Sequence, residues 1–361
     1  MPTFHQTLLD IHGPSAAAWL ADLPSLLADA AARWRLILQP PFAPLTYAYV
    51  APGTRDDGAG GRWPVVLKAA PPGRGLSAER AALAAFDGHG AVDLLDADEG
   101  RGLLLLRRVR PGTSLLALVE GGRDDEATRA AAAVMRALQR RDADGPSERL
   151  AAVARSVAST ALRPTLPFPT VADWAGGFDR LRARFGGGAG PLAERSVAMA
   201  EATFAELSAS PASMPVLLHG DLHHGNVLAS SAHEGIAGGG GDAASSWLAI
   251  DPQGVLGERA YEAGALLRNP LGWLLAGGQR RARAISERRV AILAEALAVE
   301  RRRIASWGAA QAVLSAWWSL EDHGAGWEGV MAVAEVLFGI VSDGPHQATE
   351  TPRSPTPTSN P

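Results

Sequence analysis

The sequence predicts an α+β protein of two lobes, a small β-rich N-terminal lobe and a larger, mainly helical C-terminal lobe. Three observations carry this. Short apolar runs bounded by Gly, Pro and Asp recur between residues 45 and 106, the pattern of paired strands. After residue 124 apolar residues recur at helical spacing, as in Ala131, Val134, Met135 and Leu138. At 361 residues, 47% of them hydrophobic, the chain is long enough for each lobe to have its own core.

Taken in order, residues 14–38 read as a helix, with Leu23, Leu26, Leu27, Ala30, Ala31 and Trp34 on its apolar face and Pro24 breaking or restarting it. We assign residues 1–40 to an N-terminal helical extension that packs rather than reacts. Pro40, Pro41 and Pro44 make a stiff connector. Residues 45–50 alternate like a strand, 53–61 form a glycine-rich turn and 63–69 form the return strand of a hairpin. Alternation puts Val66 and Lys68 on one face and Val65 and Leu67 on the other. Lys68 is the sole lysine among 34 basic residues. Kept where arginine otherwise serves, it suggests a task for a compact ammonium group.

Pro71-Pro72-Gly73 makes a loop, and Ser77 is the expected N-cap of a helix over 77–86. Glu79 falls in its first turn, where it can pair with Lys68. Strands over 91–95 and 103–106, joined by the 96–102 turn, complete a small lobe spanning 41–110. The larger lobe spans 111–342. Asp124-Asp125 is expected to cap a helix running to 141, and further helices are expected over 148–161, 174–185, 191–208, 263–275, 286–297 and 309–320. Residues 229–246, with four consecutive glycines, lack apolar periodicity and read as a flexible surface insertion. Residues 343–361, rich in Pro, Ser and Thr, read as a disordered tail.

Composition narrows the partners. A net charge of −4 implies no strong attraction to nucleic acid. The absence of cysteine fits a reducing cytoplasm. The first residues lack a basic, then apolar, leader, and the apolar stretch 330–341 is too short for a bilayer and holds Glu335. The expectation is a cytoplasmic protein, monomeric, with no nucleic-acid or membrane partner.

The chemistry centres on His219-Gly220-Asp221-Leu222-His223-His224-Gly225-Asn226, set between the apolar runs 216–218 and 227–228, with a second acid, Asp251, after the apolar run 247–249. Asp221 can accept a proton from a hydroxyl. Asn226 and Asp251 offer hard oxygen donors suited to Mg²⁺, which shares its shell with phosphates. An H-x-D-x-x-x-x-N loop followed by a distant acid on a strand end is the kinase catalytic-loop arrangement. The expected fold is therefore bilobal and protein-kinase-like, with ATP bound by the small lobe. Lys68 would reach its phosphates, and the backbone of Arg108, Val109 and Arg110 would meet the adenine. No G-x-G-x-x-G lid precedes Lys68, which favours small-molecule kinases over protein kinases. The histidines of the loop do not suggest zinc: no cysteine accompanies them, and Gly220 and Gly225 argue for a loop rather than a ligand-bearing helix.

These stretches, together with Gly257-Glu258, Ala260-Tyr261 and Leu266-Leu267-Arg268-Asn269-Pro270, resemble the aminoglycoside phosphotransferases. The resemblance is to the streptomycin 6-kinase branch, the aminoglycoside/hydroxyurea antibiotic resistance kinases, and covers roughly residues 15–341. It implies transfer of the ATP γ-phosphoryl group to a streptomycin hydroxyl, the one at position 6. By the same carry-over Asp221 is the base, Asn226 and Asp251 bind Mg²⁺, Lys68 contacts phosphates and Glu79 positions Lys68. A guanidinium-bearing acceptor calls for an acidic pocket, for which Asp221, Glu258, Glu321 and Asp322 are the candidates. A kinase for another hydroxylated amine or sugar, and a non-catalytic protein that sequesters the drug, are the alternatives.

Overall fold

Alternation within single strands divides the small lobe's sheet between two cores. A computed structural model describes residues 4–71, 73–139, 168–212, 214–231 and 247–343. Within these, β1 (Leu36–Leu38), β2 (Tyr49–Asp56), β3 (Arg62–Ala69), β4 (Leu94–Asp98) and β5 (Leu103–Arg107) form an antiparallel sheet in the order β1-β2-β3-β5-β4. Val65, Leu67, Ala69, Leu103 and Leu105 pack with Leu23, Leu26, Ala30 and Trp34 of α2 (Pro14–Trp34), which follows α1 (Phe4–His12). Leu104 and Leu106 belong instead to the core that takes in α3 (Arg74–Phe86) and the large lobe. Val66 also packs on that side, and Lys68 shares its face, as alternation requires. Each fully buried leucine contributes about 1.5–3 kcal/mol of burial, so the sheet is held from both faces.

Several boundaries differ from expectation. Residues 36–38 are a strand rather than the end of a helix. Arg35 takes a left-handed conformation (φ 54°), its backbone N–H caps α2, and Leu36 to Leu38 pair with β2. Apolar periodicity does not separate a three-residue strand from one more helical turn. The second strand starts at Tyr49 and continues through residues 53–56, which were expected to turn. The turn is tighter: Asp57 Oδ1 accepts from the N–H groups of Ala59 and Gly61, both at 2.8 Å. Helix α3 begins at Arg74, so Ser77 lies inside it, donating to the carbonyl of Gly73, and Glu79 sits in the second turn. The expected strand 91–95 is displaced to Leu94–Asp98, while Ala91 makes an isolated bridge to Ala249.

The large lobe contains α4 (Leu116–Glu120), α5 (Asp124–Leu138), α6 (Val171–Arg184), α7 (Glu194–Ala209), α8 (Ala263–Leu267), α9 (Leu271–Leu275), α10 (Gly278–Leu297), α11 (Arg301–His323) and α12 (Trp327–Asp343). Asp124 does not cap α5. It is buried, and its carboxylate takes three contacts from the buried Arg289 of α10 at 2.6–3.1 Å. Helix α6 begins with a capping box between Thr170 and Asp173. Helix α11 is buried on nearly every side between Ile304 and Leu320, the mark of a central helix. Small residues let its neighbours approach: a Cβ at Gly308 would come 2.7 Å from Leu267 Cδ1.

Two small sheets accompany these helices. In one, β6 (Pro111–Ser114), β8 (Val227–Ser230) and β9 (Trp247–Ala249) run in the order β6-β8-β9; in the other, β7 (Val216–Leu218) pairs with β10 (Val255–Gly257). Residues 229–230, placed in the expected insertion, belong to β8. The rest of that insertion beyond Ser231, the expected helix 148–161 and the tail beyond Asp343 lie outside the described residues. Among the described residues no helix is long and apolar enough to cross a membrane.

Candidate active site

Strand pairing brings two loops distant in sequence to one place. The 219–226 loop joins β7 to β8, and the 250–254 loop joins β9 to β10. Because β7 pairs with β10 and β8 with β9, both ends of the two loops are stitched together. The N–H of Ile250 donates to the carbonyl of Asn226 at 2.9 Å, and those of Gln253 and Gly254 donate to the carbonyl of His219 at 2.8 and 3.2 Å. Asp221, Asn226 and Asp251 therefore leave adjoining backbone segments.

His219 is the internal brace. Its ring is fully buried, and burial pushes its pKa down to about 4 despite the nearby carboxylates of Asp221 and Asp251. The neutral ring is assigned as the Nε2–H tautomer by its partners. Nε2 donates to the carbonyl of Ile250 at 2.8 Å, and Nδ1 accepts from the Asp221 N–H at 3.3 Å. One side chain thus joins the residues preceding Asp251 to the residue that would act as base. Asn226 Nδ2 donates to the Asp221 carbonyl at 3.0 Å, which leaves its side-chain oxygen as the atom suited to a cation.

Lys68 joins the small lobe to this centre. Its ammonium donates to both carboxylate oxygens of Glu79 at 2.8 and 2.7 Å and to Asp251 Oδ1 at 3.0 Å. Burial alone would lower the lysine pKa, but the carboxylates of Glu79 and Asp251 outweigh it and hold the pKa above its ordinary value. The ammonium stays charged where phosphates would arrive. Asp251 takes a left-handed backbone conformation (φ 59°), uncommon outside glycine and tolerated best by Asp and Asn.

The hinge segment, Arg108, Val109 and Arg110, joins β5 to β6. Arg108 N–H donates to the Pro64 carbonyl at 3.2 Å, and the Arg110 carbonyl accepts from Ser231 N–H at 2.7 Å. No backbone hydrogen bond among the described residues engages the Arg108 carbonyl, the Val109 peptide groups or the Arg110 N–H.

One expected substrate contact is corrected. Glu258 is buried within the large lobe, where its carboxylate accepts from Arg303, Trp307 Nε1 and the Ala212 N–H. A carboxylate with these partners is an internal brace, not a drug contact. Glu321 is held by Arg180 in a two-pronged pair at 2.8 and 2.9 Å. Asp322, next to it, is exposed at the end of α11.

Residue-by-residue reading missed three supports of the loop. Glu262, fully buried, accepts from the N–H groups of His219 and Gly220 at 2.7 and 3.0 Å, and burial pushes its carboxyl up to about 7. Arg268 Nη2 donates to Asp221 Oδ1 at 3.1 Å. Gln311 of α11, buried, accepts from Arg268 Nη1 and so holds the guanidinium in place. Arg268 stands in the Leu266-Leu267-Arg268-Asn269-Pro270 stretch, but nothing local ties it, Glu262 or Gln311 to the loop, because these contacts form only on folding.

The donor set fits Mg²⁺ of a magnesium–nucleotide complex. Asp251 gives a part-exposed carboxylate and Asn226 an amide oxygen, hard donors too few to hold the ion without phosphates. Among the described residues no group of three or more His, Cys, Asp or Glu could hold a metal ion.

A five-stranded lobe with a lysine–glutamate pair, set on a helical lobe with an H-x-D-x-x-x-x-N loop and a second acid, defines a kinase of the protein-kinase-like class. Within that class the chain belongs to the aminoglycoside/hydroxyurea antibiotic resistance kinase family, whose profile matches residues 48–323. It is 29% identical over 340 residues to a streptomycin 6-kinase of Streptomyces glaucescens, covering 91% of this chain and 93% of that one. It is 30% identical over 337 residues to a hydroxyurea phosphotransferase of Kitasatospora aureofaciens, covering 91% and 82%. Its fold matches that of a thermostable mutant of the aminoglycoside phosphotransferase APH(4)-Ia in ternary complex with ADP and hygromycin B. That match has a TM-score of 0.52 at 14% identity and covers 88% of this chain and 98% of that one.

Proposed function

We propose that the protein is an ATP- and Mg²⁺-dependent kinase that phosphorylates an aminoglycoside, with the 6-hydroxyl of streptomycin as the acceptor. The observation that carries this reading is the convergence of Lys68, Asp251 and the Asp221 loop, tied by the 3.0 Å Lys68–Asp251 contact and the Asn226–Ile250 hydrogen bond. In this reading the acceptor oxygen bonds to the γ-phosphorus, the bond from that phosphorus to the ADP oxygen breaks, and the hydroxyl proton passes to Asp221. Asp221 holds the hydroxyl in line, Lys68 holds the phosphates, and Glu79 keeps Lys68 in place. Mg²⁺, held by Asn226 and Asp251 when bound, supplies charge neutralisation for the phosphates. Little covalent work falls to the protein, so positioning and electrostatics dominate.

A phosphate adds about −1.5 to −2 charge at neutral pH. On a cationic drug that targets anionic ribosomal RNA, this opposes binding and gives a physical route to resistance. The test is ATP consumption with streptomycin, with other aminoglycosides, with hydroxyurea and with no acceptor, followed by NMR assignment of the phosphorylated carbon. Turnover with streptomycin and a phosphate at carbon 6 support the reading. Turnover with hydroxyurea alone, or tight streptomycin binding without turnover, sinks it.

A further inference from the structure

Residues 39–48 connect β1 to β2, and their aromatic side chains reach both the hinge and the large lobe. The connection is stiffened by Pro40, Pro41 and Pro44 and carries exposed aromatic residues at both ends. Near one end, Phe42 lies under the guanidinium of Arg108 at the hinge, 5.8 Å from centroid to Cζ. Near the other, Tyr47 crosses to the large lobe, its hydroxyl 3.5 Å from Nε2 of His323 at the end of α11.

From Tyr47 the contacts run in a circuit back to the catalytic loop. His323 adjoins Asp322, and one turn earlier on α11 stands Trp318. Its ring meets Trp174 of α6 edge-on, with centroids 5.6 Å apart. Trp174 in turn lies against the catalytic loop: a Cβ on Gly220 would come 2.7 Å from its Cη2. Gly220 precedes Asp221. Tyr47 closes the circuit electrostatically: burial first, then the carboxylates of Asp322 and Asp221, raise its phenol pKa. Both tryptophans are only partly buried, and Tyr47 and Asp322 are exposed. The circuit thus leads to the residue before Asp221 through aromatic and anionic side chains, one of them from the small lobe.

We infer that Tyr47 is a specificity-determining residue, completing from the small lobe a recess whose large-lobe walls are Trp174, Trp318 and Asp322 and whose ligand is a guanidinium-bearing acceptor. The inference rests on the phosphotransferase reading above and adds to it the wall that selects for charge. A planar guanidinium stacks on aromatic faces and pairs with a carboxylate. A small neutral acceptor would gain little from either. Glu321, tied to Arg180, serves as backing to this wall rather than as a contact.

The experiment compares the unmodified enzyme with Tyr47→Ala, Tyr47→Phe and Asp322→Asn, measuring streptomycin KM and kcat, ATP KM, and streptomycin Kd by calorimetry. A cation–π contact of this kind corresponds to about a tenfold change in affinity. Tyr47→Ala is expected to raise the streptomycin KM and Kd about tenfold, with kcat and ATP KM within about twofold; Tyr47→Phe, which keeps the ring, restores both. Asp322→Asn is expected to raise the same two constants. Unchanged streptomycin affinity in Tyr47→Ala, or no streptomycin binding to the unmodified enzyme, overturns the inference. So does a loss of kcat that Tyr47→Phe does not rescue, which would mark a structural role. Tyr47-dependent binding without phosphorylation overturns the functional reading and leaves the recess standing; phosphorylation indifferent to Tyr47 does the reverse.

Discussion

Arg268 Nη2 sits 3.1 Å from Oδ1 of Asp221, although the two residues are 47 apart in sequence. The guanidinium is mostly buried, and Gln311 holds it from behind. Asp221 therefore has one oxygen fixed by a cation. We expect Arg268→Ala to lower kcat about 10- to 100-fold, the usual effect of a base displaced by an ångström or so, with little change in ATP KM. Arg268→Lys keeps the charge but loses the fork and should fall between. Steady-state kinetics checks the order, and equal activity in all three forms would remove Arg268 from the positioning role.

Asp221→Asn should lower kcat by about 10²–10⁴, the range for loss of a general base. Nucleotide binding, measured by calorimetry, should persist because Lys68 and Asp251 are untouched. An unaltered kcat would end the assignment of Asp221 as base.

Asp251→Ala should abolish Mg²⁺-dependent turnover, since Asn226 alone offers one neutral oxygen. A Mg²⁺ titration of activity is the check, and a curve like that of the unmodified enzyme would take Asp251 out of the metal site.

Lys68 and Glu79 are both nearly inaccessible to solvent, so removing one strands the other's charge. Breaking such a buried pair costs about 3–5 kcal/mol, whereas replacing both members with apolar residues is often neutral. Lys68→Met should therefore both destabilise the fold and raise ATP KM. Adding Glu79→Leu should restore stability in urea denaturation without restoring activity. Recovery of activity in the double variant would show that the lysine has no catalytic part.

Glu262 gives a pH signature. Its folded pKa, about 7, lies above that of an ordinary glutamate because burial disfavours the charge. A raised pKa means that the folded state holds the proton more tightly. The associated stability is fully present below about pH 4.3 and is lost as the pH rises through about 7. Glu262→Gln removes this contribution. Melting temperatures taken between pH 4 and 8 should show the unmodified enzyme losing stability relative to the variant across that window. Parallel profiles would mean that Glu262 titrates normally.

The protein's chemistry was legible in its sequence because short motifs encode it locally. His219 to Asn226, Asp251, and a lone lysine 11 residues before Glu79 name the groups proposed to react, and strand alternation assigned Lys68 its face. The hairpin and most long helices followed from periodicity, which is also a local property. Boundaries such as Leu36–Leu38 and the start of α3 did not, because a few apolar residues fit either geometry until a partner strand or an incoming turn selects one. Only the tertiary structure decided what surrounds the site. Packing buried Glu258 against Arg303, brought Glu262 and Arg268 to the catalytic loop, and carried Tyr47 across the cleft to His323. A carboxylate's role depends on which donors reach it after folding, and that is a property of distance in space rather than along the chain.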